Sequence, residues 1–442
     1  MAFIFVPFEL YKDIFYVMPR TLSELELLAP AGGMAQAKTA LRFGADALYL
    51  ACDRFGMRQR ADNFTFEEIE TVVALAHAQG AKVYVTLNTV MDNADIAALP
   101  PYLEALAAAS VDAFIVSDLG ALSLAQRYAP QVELHVSTQA SVSNYEAARR
   151  WYDLGATRVV LAREMSLEDI AELHAHIPDE LELEVFVHGA MCMAVSGRCL
   201  ISAALTGRSG NKGFCTQPCR WNYALVEETR PNVFYPIEED ARGTYLMNAQ
   251  DLNMIEHLDE LAAAGVDSIK IEGRNKRSFY VATVVHAYRQ VLDGTSPETV
   301  LPELYTISHR PYGTGFFYGQ PSQSPERDGY VKECLHVATV VDCEPTDAGG
   351  YEVSATCHNR FFEGEALELL APGRAVVEVI PQELTWIQTS STDPNLVTMT
   401  SVDVANRASE TYRFRSSVPM NEGDFLRVRL PEEDGATAGS TE

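Results

Sequence analysis

No apolar run in the sequence approaches the ~20 residues that cross a bilayer. The opening Met1-Ala-Phe-Ile-Phe-Val-Pro7 is interrupted by Pro7, Glu9 and Lys12, and shows neither a basic start nor a small-residue cleavage site. The expected setting is the cytoplasm, with no membrane partner. Basic residues are scarce: 34 Lys and Arg stand against 61 Asp and Glu, a formal charge of −27. Such a balance excludes a protein that coats nucleic acid indiscriminately, so any contact with nucleic acid must be local. Several catalytic patterns are missing as well: there is no His-Glu-x-x-His, no Gly-x-Ser-x-Gly and no Gly-x4-Gly-Lys-Ser/Thr. Gly313-Thr-Gly315-Phe-Phe-Tyr-Gly319 is too aromatic for a dinucleotide loop. No solenoid-period repeat or low-complexity tract occurs.

What is present is an ordinary globular composition, 47% hydrophobic and 21% charged, over 442 residues. That length corresponds to roughly two or three domains. From Leu25 to about Asp293 short apolar runs alternate with segments of helical period, the pattern of consecutive β/α units around a parallel sheet. Eight strands are predicted: Leu25–Pro30, Ala47–Ala51, Lys82–Asn88, Ala113–Asp118, Glu133–Thr138, Arg158–Arg163, Glu182–Gly189 and Ser268–Gly273. Helical segments such as Phe66–Gly80 and Ser143–Gly155 end in glycine, as helix C-termini favour. Eight units predict a (β/α)8 TIM-like barrel over 21–295, with a cysteine-rich insertion (190–244) after the seventh strand. Tyr245–Asn248 is a ninth candidate strand, and an open doubly wound sheet is the alternative.

Past Gly294 the pattern changes. The Pro-, Gly- and Tyr-rich stretch within 296–329 is expected to be a linker. Short runs at His336–Val341, Tyr351–Thr356, Ala375–Ile380 and Asp424–Arg429 predict a small all-β, barrel-like domain over 330–430, with a frayed tail at 431–442. The extension 1–20 lies outside these units, and Met18 is the expected start of the native chain.

Eight cysteines in a cytoplasmic chain read as buried thiols, metal ligands or redox groups rather than disulfides. Four of them, Cys192-x6-Cys199-x15-Cys215-x3-Cys219, follow the strand Leu183-Glu-Val-Phe-Val-His188-Gly189 directly, at the strand end where barrels of this kind place their active sites. In a polar, Gly-rich loop there is little core to hide four thiols, so an iron–sulfur cluster leads, with zinc and plain buried thiols as alternatives. Cys52, Cys334, Cys343 and Cys357 are scattered and read as packing residues.

Charge is segregated. Ala190–Val226 contains Arg198, Arg208, Lys212 and Arg220 and no acid. Lys270-Ile-Glu-Gly-Arg274-Asn-Lys276-Arg277 ends the last strand, and Arg54, Arg58 and Arg60 follow the second. In a barrel these groups open on one rim, a positive mouth in a negative body. Tyr330–Glu442, by contrast, holds 8 basic and 19 acidic residues, a net of −11. Alternation along the strands sets Lys270 with Glu272 on one face, His188 with Glu184 and Phe186, and Asn88 with Thr86 and Tyr84. His188, Glu272 and Lys270 are the candidates for proton transfer, and a structural role for His188 is the competing reading.

These stretches together resemble the collagenase-like peptidase family U32. The likeness rests on Glu26-Leu-Leu-Ala-Pro-Ala-Gly-Gly33, Phe43-Gly-Ala-Asp-Ala-Leu-Tyr49, the run Glu184–Ser202 that holds the first two cysteines, and Lys270-Ile-Glu-Gly-Arg274. It extends from about Glu24 to Arg429. The most similar members act on the wobble uridine of tRNA. They make 5-hydroxyuridine without molecular oxygen and depend on prephenate and on iron–sulfur assembly. The resemblance implies that Cys192, Cys199, Cys215 and Cys219 ligate a [4Fe-4S] cluster. It implies prephenate as co-substrate, the tRNA anticodon region as partner at the basic rim, and an electron donor or iron–sulfur assembly protein as a further partner. A dicarboxylate asks for guanidinium forks, which makes Arg58, Arg163, Arg198 and Arg274 the candidate substrate-binding residues. Between Trp221 and Thr244 the chain is shorter than some members of the family. The competing functions are a U32-type peptidase, for which no nucleophile–base pair is legible, and a non-catalytic, cluster-bearing accessory protein that binds tRNA. Relatives acting on quinone precursors lack the carboxy-terminal domain and rank lower.

Overall fold

A computed structural model describes residues 20–57, 63–191, 201–208, 213–218, 224–226, 234–236, 250–319, 331–347, 349–389 and 397–431. The chain divides into two compact units: one comprises the chain up to Leu41, Ala45–Lys276 and Pro311–Asp328, the other Arg42–Gly44, Arg277–Arg310 and the chain from Gly329.

The first unit is built on strands β1 (Glu26–Pro30), β2 (Ala47–Leu50), β3 (Lys82–Leu87), β4 (Ala113–Val116), β5 (Glu133–Val136), β6 (Arg158–Val160) and β7 (Glu182–Ala190). The short strands β8 (Ala224–Val226) and β9 (Phe234–Pro236) pair with each other, and β10 (Asp251–Asn253), β11 (Ser268–Ile271) and β12 (Tyr312–Gly313) follow. Strands β1 to β7 pair in parallel in chain order. β11 pairs in parallel with both β7 and β1, closing an eight-stranded barrel. The eight expected strands are therefore all present, most of them one to three residues shorter, and the open sheet is excluded. Apolar runs are covered on both faces here, one by the barrel interior and one by helices, which is why they stand out so plainly in the sequence.

Helices α1 (Met34–Arg42), α2 (Phe66–His77), α3 (Asn93–Ala108), α4 (Leu119–Tyr128), α5 (Tyr145–Asp153) and α6 (Leu167–His174) separate the strands. Their starts are fixed locally. Thr65, Asp92 and Ser166 each accept from a backbone N–H of the first turn, while Glu68, Asp95 and Asp169 reach back to the cap. Gly80 and Gly155 lie past α2 and α5 at φ +76° and +94°, the left-handed region that ends a helix.

Strand β7 is longer than its neighbours and outruns the barrel. Its last residues pair in the antiparallel sense with β10, Ala190 opposite Asp251 and His188 opposite Asn253, and β10 pairs with β12. This annex sits at both ends of the cysteine-bearing insertion: Ala190 leads into it and Asp251 receives the chain back. Tyr245–Asn248, the ninth candidate strand, lies outside the described residues. The annex strand falls just after it.

In the second unit, helices α9 (Ser278–Leu292) and α10 (Pro297–Tyr305) precede an antiparallel sheet; α7 (Ile201–Thr206) and α8 (Leu258–Ala263) belong to the first unit. The stretch read as a linker thus begins with a helix, started by a proline in its first turn, where the missing N–H costs nothing. The sheet is formed by β13 (Cys334–Pro345), β14 (Tyr351–Cys357), β16 (Leu367–Leu370), β17 (Val377–Val379), β18 (Gln382–Thr389), β19 (Val397–Ser401), β21 (Thr411–Ser416) and β22 (Phe425–Arg429). Their order is β17-β16-β22-β13-β14-β21-β18-β19, and β15 (Phe361–Phe362) with β20 (Val404–Ala405) makes a separate pair. Val337, Val340, Val353, Phe361, Leu369 and Phe414 are among the residues of its core. Arg427, fully buried, is held by Glu303 and Thr306 at the end of α10 and by Glu368 of β16, at 2.8–2.9 Å.

Candidate active site

Leu28, Ala47, Tyr49, Tyr84, Ala113 and Ile115 form one buried cluster inside the barrel. Beside it lies an ionic network. Near the strand starts, Arg158 Nη1 donates to Glu26 Oε1 at 2.5 Å and to Glu184 Oε2 at 3.3 Å, and its Nε donates to Glu182 Oε2 at 2.8 Å. Tyr84 Oη and Ser268 Oγ also donate to Glu26, at 2.6 and 2.9 Å. Burial raises the Glu26 carboxyl, but the charge and hydrogen bonds of Arg158, with the Tyr84 hydroxyl, outweigh it and bring it down to about 2. Burial pushes the Tyr84 phenol well up, and holds His135, fully buried beside it, below the ordinary histidine range.

One layer nearer the strand ends, Lys270 Nζ donates to Glu184 Oε1 at 2.7 Å. Glu184 therefore bridges the two buried cations, Arg158 and Lys270. The Lys270 ammonium lies 4.4 Å from the Tyr49 ring centroid and 5.5 Å from that of Phe186. Tyr49 Oη donates to Ile271 O at 2.9 Å and stands 3.5 Å from Glu272 Oε2, so Lys270 and Glu272 both border Tyr49. Arg163, half-buried after β6, lies 5.0 Å from the same Phe186 centroid and donates to Ala190 O at 3.0 Å. Asn88, at the end of β3, donates to Ser137 Oγ at 3.1 Å and accepts from Met57 N at 3.2 Å.

His188 departs from simple alternation. The pairing of β11 with β7 shifts between Lys270 and Ile271: Lys270 faces Phe186, whereas Ile271 faces His188. A one-residue bulge at a barrel rim re-aims the side chains beyond it. His188 is buried, its ring 5.4 Å from that of Tyr312 in β12, and its carbonyl accepts from Glu272 N at 2.9 Å. Arg274, just past β11, is buried at 4% exposure. The structure therefore gathers Lys270, Glu272 and Arg163 around Tyr49 and Phe186. Arg58, Arg198, Cys192, Cys199 and Cys219 lie outside the described residues.

Cys215, half-buried, is the described member of the cysteine set. Its Sγ accepts from Gln217 N at 3.4 Å, an approach that the left-handed Gln217 backbone (φ +55°) permits. Ser202, buried on α7 three residues past Cys199, ties this turn down. Its Oγ accepts from Thr216 N at 3.0 Å and lies 3.1 Å from Thr216 Oγ1, itself 3.3 Å from Thr206 Oγ1. Helix α7 is thereby held against the turn that carries Cys215. A sulfur that accepts a backbone N–H on a pinned loop suits a metal-bound thiolate. Among the described residues no three His, Cys, Asp or Glu side chains form a metal-holding group. Cys52, Cys334 and Cys357 are buried, free thiols; burial raises all three, Cys334 to about 11, which fits packing and not reactivity. No described helix is long and apolar enough to cross a membrane.

Sequence reasoning gave no role to Arg158, nor to Glu26, Tyr49 and Ser202, which stood inside recognised stretches.

The chain matches the model of peptidase family U32 over residues 32–327. It is 40% identical over 359 residues to the tRNA hydroxylation protein P1 of Bacillus subtilis, covering 78% of this chain and 83% of that one. It is 35% identical over 419 residues to the tRNA hydroxylation protein P of Helicobacter pylori, covering 93% and 96%. It is 40% identical over 274 residues to the 23S rRNA 5-hydroxycytidine C2501 synthase of Escherichia coli, covering 62% of this chain and 40% of the synthase.

Proposed function

The chain belongs to peptidase family U32, and from that premise we propose that it is an RNA-modifying enzyme that hydroxylates tRNA, converting the wobble uridine to 5-hydroxyuridine. The observation that carries this reading is the likeness to the Helicobacter pylori tRNA hydroxylation protein P, which extends over nearly the whole of both chains. The 23S rRNA hydroxycytidine synthase, 40% identical over a shorter stretch, supports hydroxylation of an RNA base as the shared chemistry.

In this reading the reaction is oxygen-independent, takes prephenate as co-substrate and takes place in the cytoplasm. Cys192, Cys199, Cys215 and Cys219 hold a [4Fe-4S] cluster, with zinc the alternative; the N–H···S contact and the Ser202 clamp at Cys215 support a metal-bound thiolate there. When bound by these cysteines, such a cluster would supply electron transfer or a Lewis-acidic iron. Arg163, together with Arg58, Arg198 and Arg274, meets the carboxylates of prephenate, since a planar guanidinium matches them two bonds at a time. Glu272 and His188 hold and move protons beside the Lys270 ammonium. Glu272 is suited to accept one, being half-buried and within reach of the Tyr49 hydroxyl. The anticodon phosphates meet the basic rim.

Deleting the gene in its host and analysing tRNA nucleosides by mass spectrometry tests the reading. The expected result is loss of 5-hydroxyuridine derivatives, restored by the gene in trans. Unchanged levels in a strain without a parallel pathway would refute it.

A further inference from the structure

Two cations at the end of the barrel carry N–H donors that the barrel's own acids do not fill. Lys270 is 4% exposed, and among the described residues its Nζ has one hydrogen-bond acceptor, Glu184 Oε1. An ammonium has three N–H donors. Its other neighbours are the Tyr49 and Phe186 rings, which solvate charge but accept no conventional hydrogen bond. Arg163 is half-buried and donates to the Ala190 carbonyl; no described carboxylate lies within ion-pair distance of it. Glu184 cannot serve both sides, because its second oxygen faces Arg158. Three consecutive strands thus place a cation on either flank of β7: Arg163 follows β6, Lys270 is on β11, and both lie within 5.5 Å of the Phe186 ring centroid. A buried ammonium with N–H donors left unfilled is costly until an acceptor completes it, and the half-buried Arg163 guanidinium adds a second positive group on the other flank.

We propose that Lys270 and Arg163 form a two-point seat for the carboxylates of a small organic acid, with Phe186 as the wall between them and Glu184 as the residue that aims Lys270. The seat deepens the reading of a prephenate-dependent enzyme and rests on it: it names which cations meet the acid. Depth selects a small acid over an RNA phosphate. A backbone phosphate carries a ribose on each side and stays at the rim, whereas a carboxylate ends its chain and can reach an ammonium at 4% exposure.

The test is calorimetric titration of the full-length, anaerobically purified protein with prephenate, malate, inorganic phosphate and uridine monophosphate. Wild type is compared with Lys270→Met and Arg163→Met, each checked for native thermal unfolding. Lys270→Gln and Arg163→Gln, which also remove the charge, replace any Met variant that fails to fold. Each cation removed is expected to weaken prephenate binding about 10- to 100-fold, with the phosphate ligands little changed. Prephenate bound by wild type and by both Met variants within twofold overturns the seat and leaves the co-substrate reading intact. Malate bound through both cations, with prephenate not bound, upholds the seat and overturns that reading. Phosphate ligands that lose affinity while carboxylates do not, or no acid bound at all, overturn the seat.

Discussion

Arg158 Nη1 lies 2.5 Å from Glu26 Oε1, and the two residues are 132 apart in the chain. The pair ties the first barrel strand to the sixth across the interior. Arg158 also reaches Glu182 and Glu184, and its side chain is 3% exposed. Replacing it with Met leaves Glu26 and Glu184 buried with one fewer cation, a change expected to cost about 3–5 kcal/mol in unfolding free energy, read from urea titrations. A loss below 1 kcal/mol would show that solvent reaches the network.

The same pair sets an acid limit. The Glu26 carboxyl is ordinarily near 4.5 and is brought to about 2 in the fold. The unfolded chain therefore binds a proton first as pH falls. The stabilisation is fully present above about pH 4.5 and disappears as pH drops towards 2. For one group shifted this far the contribution is roughly 3 kcal/mol. Glu26→Gln is expected to flatten the stability profile between pH 5 and 2, measured by chemical unfolding at each pH.

Histidines impose a milder limit on the second unit. His336 stacks on Phe279, with ring centroids 5.0 Å apart, and lies 4.4 Å from the His358 ring. Its Nε2 is 3.1 Å from Ala338 O. Burial, then repulsion from His358 and Arg277, pushes it down to about 3, although the Ala338 bond opposes the shift. Protons then bind the unfolded chain first, so stability present above about pH 6.5 is lost as pH falls towards 3. His336→Gln is expected to lower stability at pH 8 and to make its decline between pH 6.5 and 4.5 shallower. An unchanged slope would place the acid sensitivity elsewhere.

The barrel was legible because its strands are short apolar runs, such as Ala113-Phe-Ile-Val116, buried at every position. The ionic interior was not. Glu26, Arg158 and Glu184 each look like an isolated strand charge, and nothing in a single sequence says that strands one, six and seven point them at one another. The annex escaped for another reason: three residues in β10 and two in β12 carry no periodicity. Within the stretch expected to be a linker, Pro297 stands in the first turn of a helix, a place that proline content alone does not reveal. At the site, alternation placed Lys270 and Glu272 together, and both border Tyr49. Alternation failed at His188, because the shift in pairing beyond Lys270 interrupts the count. Cysteine spacing predicts a ligand set, but the clamp beside Cys215, Ser202 on Thr216, is a contact between common residues without a motif.

That clamp separates ligands from their supports. Cys215→Ser and Cys199→Ala are each expected to abolish cluster binding, measured as iron and sulfide after anaerobic purification, where wild type should carry about four of each per chain. Ser202→Ala keeps all four thiols but frees Thr216 N, so it should retain iron and lose it faster to a chelator, by about 10- to 100-fold. Stoichiometric zinc without iron in the wild type would reject the cluster. Equal rates of iron loss in Ser202→Ala and wild type would remove the clamp from its role.

Charge gives the last prediction. A chain of −27 repels tRNA over most of its surface, while Ala190–Val226 carries four cations and no acid. If that segment receives phosphates, log affinity falls linearly with log salt, with a slope of about −3 to −4 for four contacts. Arg208 is exposed at the end of the described stretch that follows α7. Arg208→Ala is expected to reduce the slope by about 1 and to weaken all tRNAs alike, because a phosphate contact carries no base information. Fluorescence anisotropy with one cognate and one non-cognate tRNA, from 50 to 300 mM salt, measures both effects. Binding insensitive to salt would mean that bases and shape hold the tRNA, and an Arg208→Ala defect confined to the cognate tRNA would make Arg208 a reader of sequence.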